Sequence, residues 1–403
     1  MNSNAVKIRW LYLLLGIAAL IFAGVIYAWS ILKAPLAEAF GWSGPELALN
    51  YTITMCCFCL GGFLGGLLGK RLGSRICLLA AAALAGAGFV LASRLEGGSP
   101  AALYLCYGVL GGLGIGVAYN VIISTVNPWF PDKKGLCSGC LMMGFGASAL
   151  VVGKAASALI EGPGWRTAYL GLGIALAAVL GLTALFLRAP KPGTVLPAPQ
   201  AKRGKGDDVE ALECDTPAML RRLSFWLAFG LIVCLSAVGS TVISFARDLS
   251  LSVGAEAGFA TTLVGVLSVC NGLGRIAIGA LFDRVGRRTT MLTANFLTIL
   301  AAGVTLLAAA LHALPLCVAG LCLTGFSYGS SPTISSAFTA GFYGTKHFPL
   351  NFSVMNFNLI PAALTATAAG SLLETTGGFT APLALLLALA SLSLLLNLLI
   401  KKP

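Results

Sequence analysis

Apolar residues run along this chain in long blocks, and the polar residues collect in short gaps between them. About 20 apolar residues in helical form cross the hydrocarbon core of a bilayer. Read at that length, the pattern predicts twelve membrane-spanning helices: 11–32, 46–68, 76–95, 101–125, 136–159, 166–187, 223–246, 258–282, 289–311, 313–338, 349–371 and 378–400. Clusters of charge separate most neighbours, so the number of spans is better defined than their ends. One gap differs from the rest. Arg188 to Arg222 contains "RAPKPGTVLPAPQAKRGKGDDVE", rich in Pro, Lys and Asp. It has too little apolar surface to pack, and its middle is predicted to be disordered. It divides the chain into an N-terminal bundle of six spans (1–188), a cytoplasmic linker (189–222) and a C-terminal bundle of six (223–403).

Composition supports this reading. Of 403 residues, 58% are hydrophobic and 10% are charged, where a soluble domain is about 25% charged. Too few polar residues remain to cover a water-facing surface, so an integral membrane protein is expected. A net charge of +12 would raise nucleic acid as a partner for a soluble chain. Here the basic residues sit in short loops, and the partner is the lipid bilayer. Twenty of the 26 Lys and Arg fall in segments on the same side as the N-terminus. Four (Lys33, Arg94, Arg166 and Arg247) fall on the other side, and Lys154 and Arg275 lie within spans. The positive-inside rule then places both termini in the cytoplasm of a multi-pass plasma or inner membrane protein. The first apolar run is longer than a signal-peptide core and is read as a retained span.

The 12 cysteines have no disulfide-framework spacing, and most lie inside apolar runs. Cys137 and Cys140 form a C-x-x-C, but the chain has two histidines and neither is nearby. Helix packing is the reading for these cysteines, with no metal site. The glycine-rich runs lie within apolar spans and do not follow a strand, so they are packing glycines and not nucleotide loops. No Walker loop, nucleophile–base pair or buried carboxylate pair is present. The sequence predicts neither an enzyme nor a cofactor, and a single chain is expected to suffice.

The two halves echo each other. "GLLGKRLGSR" (Gly66–Arg75) aligns with "GALFDRVGRR" (Gly279–Arg288) at an offset of 213 residues, and the same offset places "WFPDKKG" (Trp129–Gly135) on "FYGTKHF" (Phe342–Phe348). Two loops agreeing on one shift indicate a duplicated six-span unit. Alternating-access transporters are built this way, with substrate near mid-membrane at the repeat interface.

Twelve spans, a central loop and the pattern G-x-L-x-D-R-x-G-R-R at Gly279–Arg288 resemble the major facilitator superfamily. The second copy matches at each signature position; the first has Lys70 where the signature has Asp. Within the superfamily the chain is similar to the oxalate/formate antiporter group and its monocarboxylate-transporter relatives. The residues carrying this are "NPWFPDKKG" (Asn127–Gly135), "IYAWSILKAPL" (Ile26–Leu36) and "NGLGRIAIGALFDRVGRR" (Asn271–Arg288). The resemblance implies an all-α fold of two pseudo-symmetric six-helix bundles that moves small organic anions by alternating access.

Arg275 is the leading candidate for the chemistry. A charge at mid-bilayer costs at least about 2.5–3.5 kcal/mol, and no acidic residue lies deep in any predicted span. The expected counter-ion is the carboxylate of a substrate, which a guanidinium grips bidentately. The alternative is an arginine satisfied by backbone carbonyls. Asn271, one turn earlier on the same face, would orient the guanidinium or donate to the second carboxylate oxygen; the plainer role is an interhelical bond. Monocarboxylate relatives often carry Asp there, so this Asn removes a titratable partner. Tyr119, Tyr328 and Tyr27 offer phenolic donors, with an interface-belt role as the alternative. Asn356 and Asn358 precede Pro361 in span eleven. Oxalate-handling relatives place a lysine in that span, and this chain has none between Leu350 and Thr376. Lys154 reads as a snorkelling lysine or as a second substrate cation. Asp283, Arg284, Arg287 and Arg288, with Lys70 and Arg71 in the first copy, are the candidate gate; a carboxylate at Asp283 suits a neighbouring helix N-terminus.

The function these residues predict is secondary transport of small monocarboxylates such as lactate, pyruvate or formate, proton-coupled or by anion exchange. An oxalate- or dicarboxylate-for-formate exchanger would need a second cation. A sensor built on a transporter-like core is the reading from another class, and would usually carry an added output domain. The loop charges make one prediction directly. In a cysteine-depleted background, Gln200→Cys should resist an impermeant thiol reagent applied to intact cells. Efficient labelling from outside would reverse the orientation.

Overall fold

A computed structural model of the chain describes residues 3–191, 194, 196–197 and 212–400. The predicted disorder in mid-linker falls at 198–211, outside the described residues. The described elements are helical, with no strand among them. Among the described residues, eleven helical stretches are long and apolar enough to cross a membrane. One of these, Ala257–Leu311, is 55 residues long and carries both span eight and span nine. Spans two and three likewise share one helix, Gly44–Ala92.

Each of these double-length helices is broken by a single glycine. Gly73 has φ 79° and ψ 161°, and Gly286 has φ 81° and ψ −178°. That region of backbone space is essentially open to glycine alone. The two glycines are 213 residues apart, so the duplication read from the loops also fixes the turn geometry.

The packing repeats at the same offset. In spans two and four, a Cβ added at Gly61 would run into the Leu113 carbonyl, one at Gly112 into the Thr54 carbonyl, and one at Gly116 into the Phe58 carbonyl. In spans eight and ten, the clashes are Gly274 with Phe326, Gly325 with Leu267, and Gly329 with Asn271. Every member of the first set maps onto the second by adding 213. Small residues let helix backbones touch where lipid supplies no hydrophobic drive for association.

By internal contacts the chain forms two compact units. The first holds Met1–Pro131, Gly144–Ala198 and Phe352–Val354; the second holds Asp132–Met143, Pro199–Asn351 and Met355–Pro403. The span-five helix, Lys134–Glu161, is thus shared. Its opening turns pack in the second unit because Gly135 lies against the Gly279 carbonyl and Gly139 against that of Arg275.

The end of the linker is ordered. Asp215 caps a short helix, Thr216–Leu220, by accepting from the Ala218 N–H. Leu212 and Cys214 donate backbone N–H groups to the carbonyls of Phe342 (3.3 Å) and Tyr343 (3.2 Å). The buried Asn351 accepts from Thr216 Oγ1 at 2.7 Å and donates to the Cys214 carbonyl at 3.0 Å.

Gly73 allows a clean test of the turn. Among the described residues, no atom beyond the immediate chain neighbours and the helix's own backbone lies within 4 Å of a Cβ added there, nor of one added at Gly69. Gly73→Ala should lower stability by about 1–3 kcal/mol through backbone strain alone. Gly69→Ala, in ordinary helical geometry, should be neutral or slightly stabilising. Thermal unfolding in detergent checks both; equal melting points would remove the strain argument.

Candidate functional site

Arg275 lies in the interior of the second unit, 2% exposed. Its Nε donates to Asn271 Oδ1 at 3.1 Å, one helical turn back. Its Nη1 donates to the Met142 carbonyl on the span-five helix. No carboxylate pairs with it among the described residues. The turn that carries it is tightly held. Gly139 packs on the Arg275 carbonyl from one side and Gly329 on the Asn271 carbonyl from another, while Thr333 Oγ1 donates to the Arg275 carbonyl at 3.3 Å. Arg275 is thus bonded to one backbone carbonyl and to the side chain of Asn271.

Several candidate residues sit where helices are interrupted. Span ten breaks at Gly329, between Leu314–Tyr328 and Ser330–Phe342. Pro332 has no N–H to offer the Tyr328 carbonyl, which removes a helical bond at this point. Tyr328 is buried at the break, its ring against Gly239. Span eleven breaks at residues 357–358, between Phe348–Asn356 and Leu359–Thr376, three to four residues before Pro361. Asn356 ends the first helix and Asn358 lies in the gap, its Nδ2 donating to the Met355 carbonyl at 2.7 Å. Asn358 Oδ1 accepts from Ser236 Oγ at 2.9 Å, and Ser236 meets Ser331 Oγ at 2.5 Å.

In the first unit, Tyr27 lies in a 3-10 stretch, Gly24–Ala28, that interrupts span one. Its ring meets Phe145 edge-on at 5.2 Å. Tyr119 also packs on Phe145 (4.9 Å), on Phe58 (5.2 Å) and on Phe352 (6.1 Å, stacked). The candidates thus fall into two groups: Tyr27 and Tyr119 share an aromatic cluster in the first unit, and Arg275, Asn271, Tyr328, Asn356 and Asn358 belong to the second. Lys154 is exposed beside the exposed Val151, Ala155 and Ala158, with no carboxylate paired to it among the described residues.

At the C-terminal end of span eight, Asp283 accepts the Gly135 N–H at Oδ1 (2.9 Å) and the Leu136 N–H at Oδ2 (2.8 Å). These belong to the first turn of the span-five helix, whose amides have no intrahelical acceptor. The Arg287 guanidinium stacks over the Phe342 ring at 5.2 Å. Arg284, Arg288 and Arg71 are exposed.

Sequence reasoning passed over the hydroxyl run of span ten. Ser327, Ser330, Ser331, Thr333, Ser335, Ser336 and Thr339 are all buried, and Ser336 meets Ser138 at 2.9 Å. Seven hydroxyls within thirteen residues of a membrane span were a visible signal. The Met142 carbonyl was not visible, because a backbone acceptor carries no sequence mark.

Fold and site together define a secondary-transporter architecture. The Major Facilitator Superfamily profile matches residues 13–259, and that of the sugar (and other) transporters matches residues 215–401. The chain belongs to the major facilitator superfamily and is a multi-pass membrane transporter. It is 25% identical over 374 residues to the oxalate:formate antiporter of Oxalobacter formigenes, covering 92% of this chain and 86% of that protein. It is 27% identical over 320 residues to human monocarboxylate transporter 12, covering 74% of this chain and 62% of that one. Among solved structures, FucP superposes with a TM-score of 0.73 at 14% identity, covering 97% of this chain and 99% of that one. XylE, a proton:xylose symporter, superposes with a TM-score of 0.70 at 14% identity, covering 100% and 97%.

Asp283→Asn leaves one acceptor oxygen and sets an NH2 against a backbone N–H. Loss of a charge-assisted bond of this kind costs about 1–3 kcal/mol. Amide hydrogen exchange at Gly135 and Leu136 should accelerate by roughly ten- to a hundred-fold. Unchanged exchange would show that the carboxylate does not hold this helix start.

Proposed function

We propose that this protein carries small organic monoanions across the membrane by alternating access, with Arg275 as the carboxylate ligand. The observation that carries this reading is a buried guanidinium with no carboxylate partner among the described residues. Two neutral oxygens, from Asn271 and Met142, only partly compensate a desolvated charge. A substrate carboxylate completes the pairing. The names of the relatives, an oxalate:formate antiporter and a monocarboxylate transporter, support an organic anion as cargo.

The repeat supports a monoanion in particular. Subtracting 213 from Asn271, Arg275 and Asn358 gives Phe58, Gly62 and Phe145. The first copy holds aromatic rings or no side chain where the second holds polar groups, so the duplication does not supply a second cation. Interrupted helices at Tyr27, Tyr328 and the Asn356–Asn358 pair match the way transporters expose backbone to a substrate.

Coupling follows from the same residues. The group bonded to Arg275 Nε is an amide and not a carboxylate, so it does not titrate. A proton, where one moves, travels with the substrate; exchange of one anion for another needs no titrating group. Asp283, at the start of the span-five helix, serves as a cytoplasmic latch that breaks as the carrier turns over. A dicarboxylate exchanger is the second reading, favoured by the name of the Oxalobacter formigenes relative, with Lys154 as the cation it requires.

Arg275→Lys keeps the charge and loses the bidentate fork, so binding of a monocarboxylate should weaken; Arg275→Ala should abolish it. Losing a desolvated charge partner costs about 2–5 kcal/mol, roughly 30- to several-thousand-fold in affinity. The decisive measurement compares a carboxylate with its neutral amide on folded, purified protein. Wild type should prefer the acid strongly, and Arg275→Ala should lose that preference. A folded mutant that still discriminates by the same factor would make the arginine structural and move the anion site elsewhere.

A further inference from the structure

Cys270 stands one residue before Asn271 on span eight, and Cys322 lies three residues before Gly325 on span ten. The helices are drawn together here by the Gly274–Phe326 and Gly325–Leu267 contacts. A Cβ added at Gly325 would lie 3.1 Å from that of Cys270. Cys322, three residues before Gly325 on the same helix, lies on the face of span ten that meets Cys270. Both are half-buried and unoxidised.

The first copy supplies an internal control. Cys57 is 213 residues before Cys270 and packs on Gly112 in the same way, with 3.0 Å from its Cβ to one added at Gly112. The counterpart of Cys322 in that copy is Val109. The same helix crossing therefore holds two facing thiols in one unit and a single thiol in the other.

We propose that Cys270 and Cys322 form a two-thiol binding site for a thiophilic centre that takes two sulfur ligands and ends uncharged, the class of trivalent organoarsenicals and Hg(II). Soft centres select thiolate ligands. The apolar surroundings choose among them, because a charged product is costly within a membrane. A monovalent soft ion held by two thiolates keeps a net negative charge; an arsenic dithiolate or a mercury dithiolate is neutral. With an organoarsenic oxide, R–As=O and two Cys–SH give R–As(S–Cys)2 and H2O. Two S–H bonds and the As=O bond break, two As–S and two O–H bonds form, and nothing is oxidised or reduced. The bridge pins span eight one residue from Asn271, so carboxylate transport should fall when the site fills. That consequence rests on the function proposed above; the binding does not.

The test uses full-length protein in lipid nanodiscs treated with phenylarsine oxide. A monothiol wash strips single-thiol adducts, and the peptides are then mapped by mass. The expected product is an arsenic bridge between the peptides carrying Cys270 and Cys322. It should vanish in Cys270→Ser and in Cys322→Ser and persist in Cys57→Ser. An arsenic load in Cys270→Ser equal to that of wild type, or bridges found only between other cysteines, would overturn the site. In proteoliposomes, treatment should reduce carboxylate uptake at least tenfold, with recovery on adding dimercaptopropanol. Bridged protein with undiminished uptake would overturn the link to Asn271. Untreated protein that moves no carboxylate would overturn the transport reading, and the peptide map would still decide the site.

Discussion

A hydrocarbon core offers a polar group no partner, and the structure follows from that constraint. Each backbone N–H and carbonyl within the membrane must be satisfied by the chain, so the spans are helices. Apolar side chains gain little by leaving lipid for protein, so helix association relies on close contact. Glycines supply it: Gly61, Gly112 and Gly116 in one copy and Gly274, Gly325 and Gly329 in the other put backbone directly on backbone. Side-chain polarity is then admitted only where this packing has prepared a place. The turn from Asn271 to Arg275 is such a place, gripped by Gly139 and Gly329 from two different helices.

The duplicated unit shows what was kept and what diverged. The scaffold was kept, down to the paired glycine turns at Gly73 and Gly286. The chemistry diverged at equivalent points, with Gly62 against Arg275 and Phe58 against Asn271. The Asp283 contact diverged in the same manner. Asp283 accepts from the N–H groups of Gly135 and Leu136. The equivalents in the other pairing are Lys70 for the carboxylate and Pro349 for Leu136. Proline has no N–H to donate, so the equivalent positions in the two halves supply neither the carboxylate nor one of the two donors. The two changes remove opposite halves of that pairing from the sequence.

Much of this was legible in the sequence because membrane folding writes itself in composition. Block length gave the spans, loop charge marked their ends, and the 213-residue offset tied the halves together. Arg275 stood out because a guanidinium among apolar residues needs a reason. The structure adds what periodicity does not encode. Pro332 and Pro361 were visible, but the exact breaks at Gly329 and around Phe357 depend on which carbonyls find other donors. The allotment of Asp132–Met143 to the second unit rests on glycine contacts at Gly135 and Gly139, which single residues in a glycine-rich chain do not announce. The Met142 carbonyl is hidden for the same reason that every backbone acceptor is.

If the protein carries organic anions as proposed, the partners of Arg275 also set the scale of substrate binding. A buried guanidinium without any acceptor would be too costly to keep, and one locked onto a protein carboxylate would gain little from a second anion. Asn271 and the Met142 carbonyl lie between these extremes. They hold the group in a fixed orientation, each with a neutral dipole, and leave its charge unneutralised. An arriving carboxylate gains the difference between an ion pair and bonds to neutral oxygens, after its own desolvation. That difference is smaller than the full Coulomb term, as a carrier requires, since an anion held too firmly would not be released on the far side. Replacing Asn271 with an acidic residue would shift the balance toward permanent neutralisation and make the occupancy of the site depend on pH. On the proposed reading, an amide at this position orients the guanidinium and leaves its charge to the substrate.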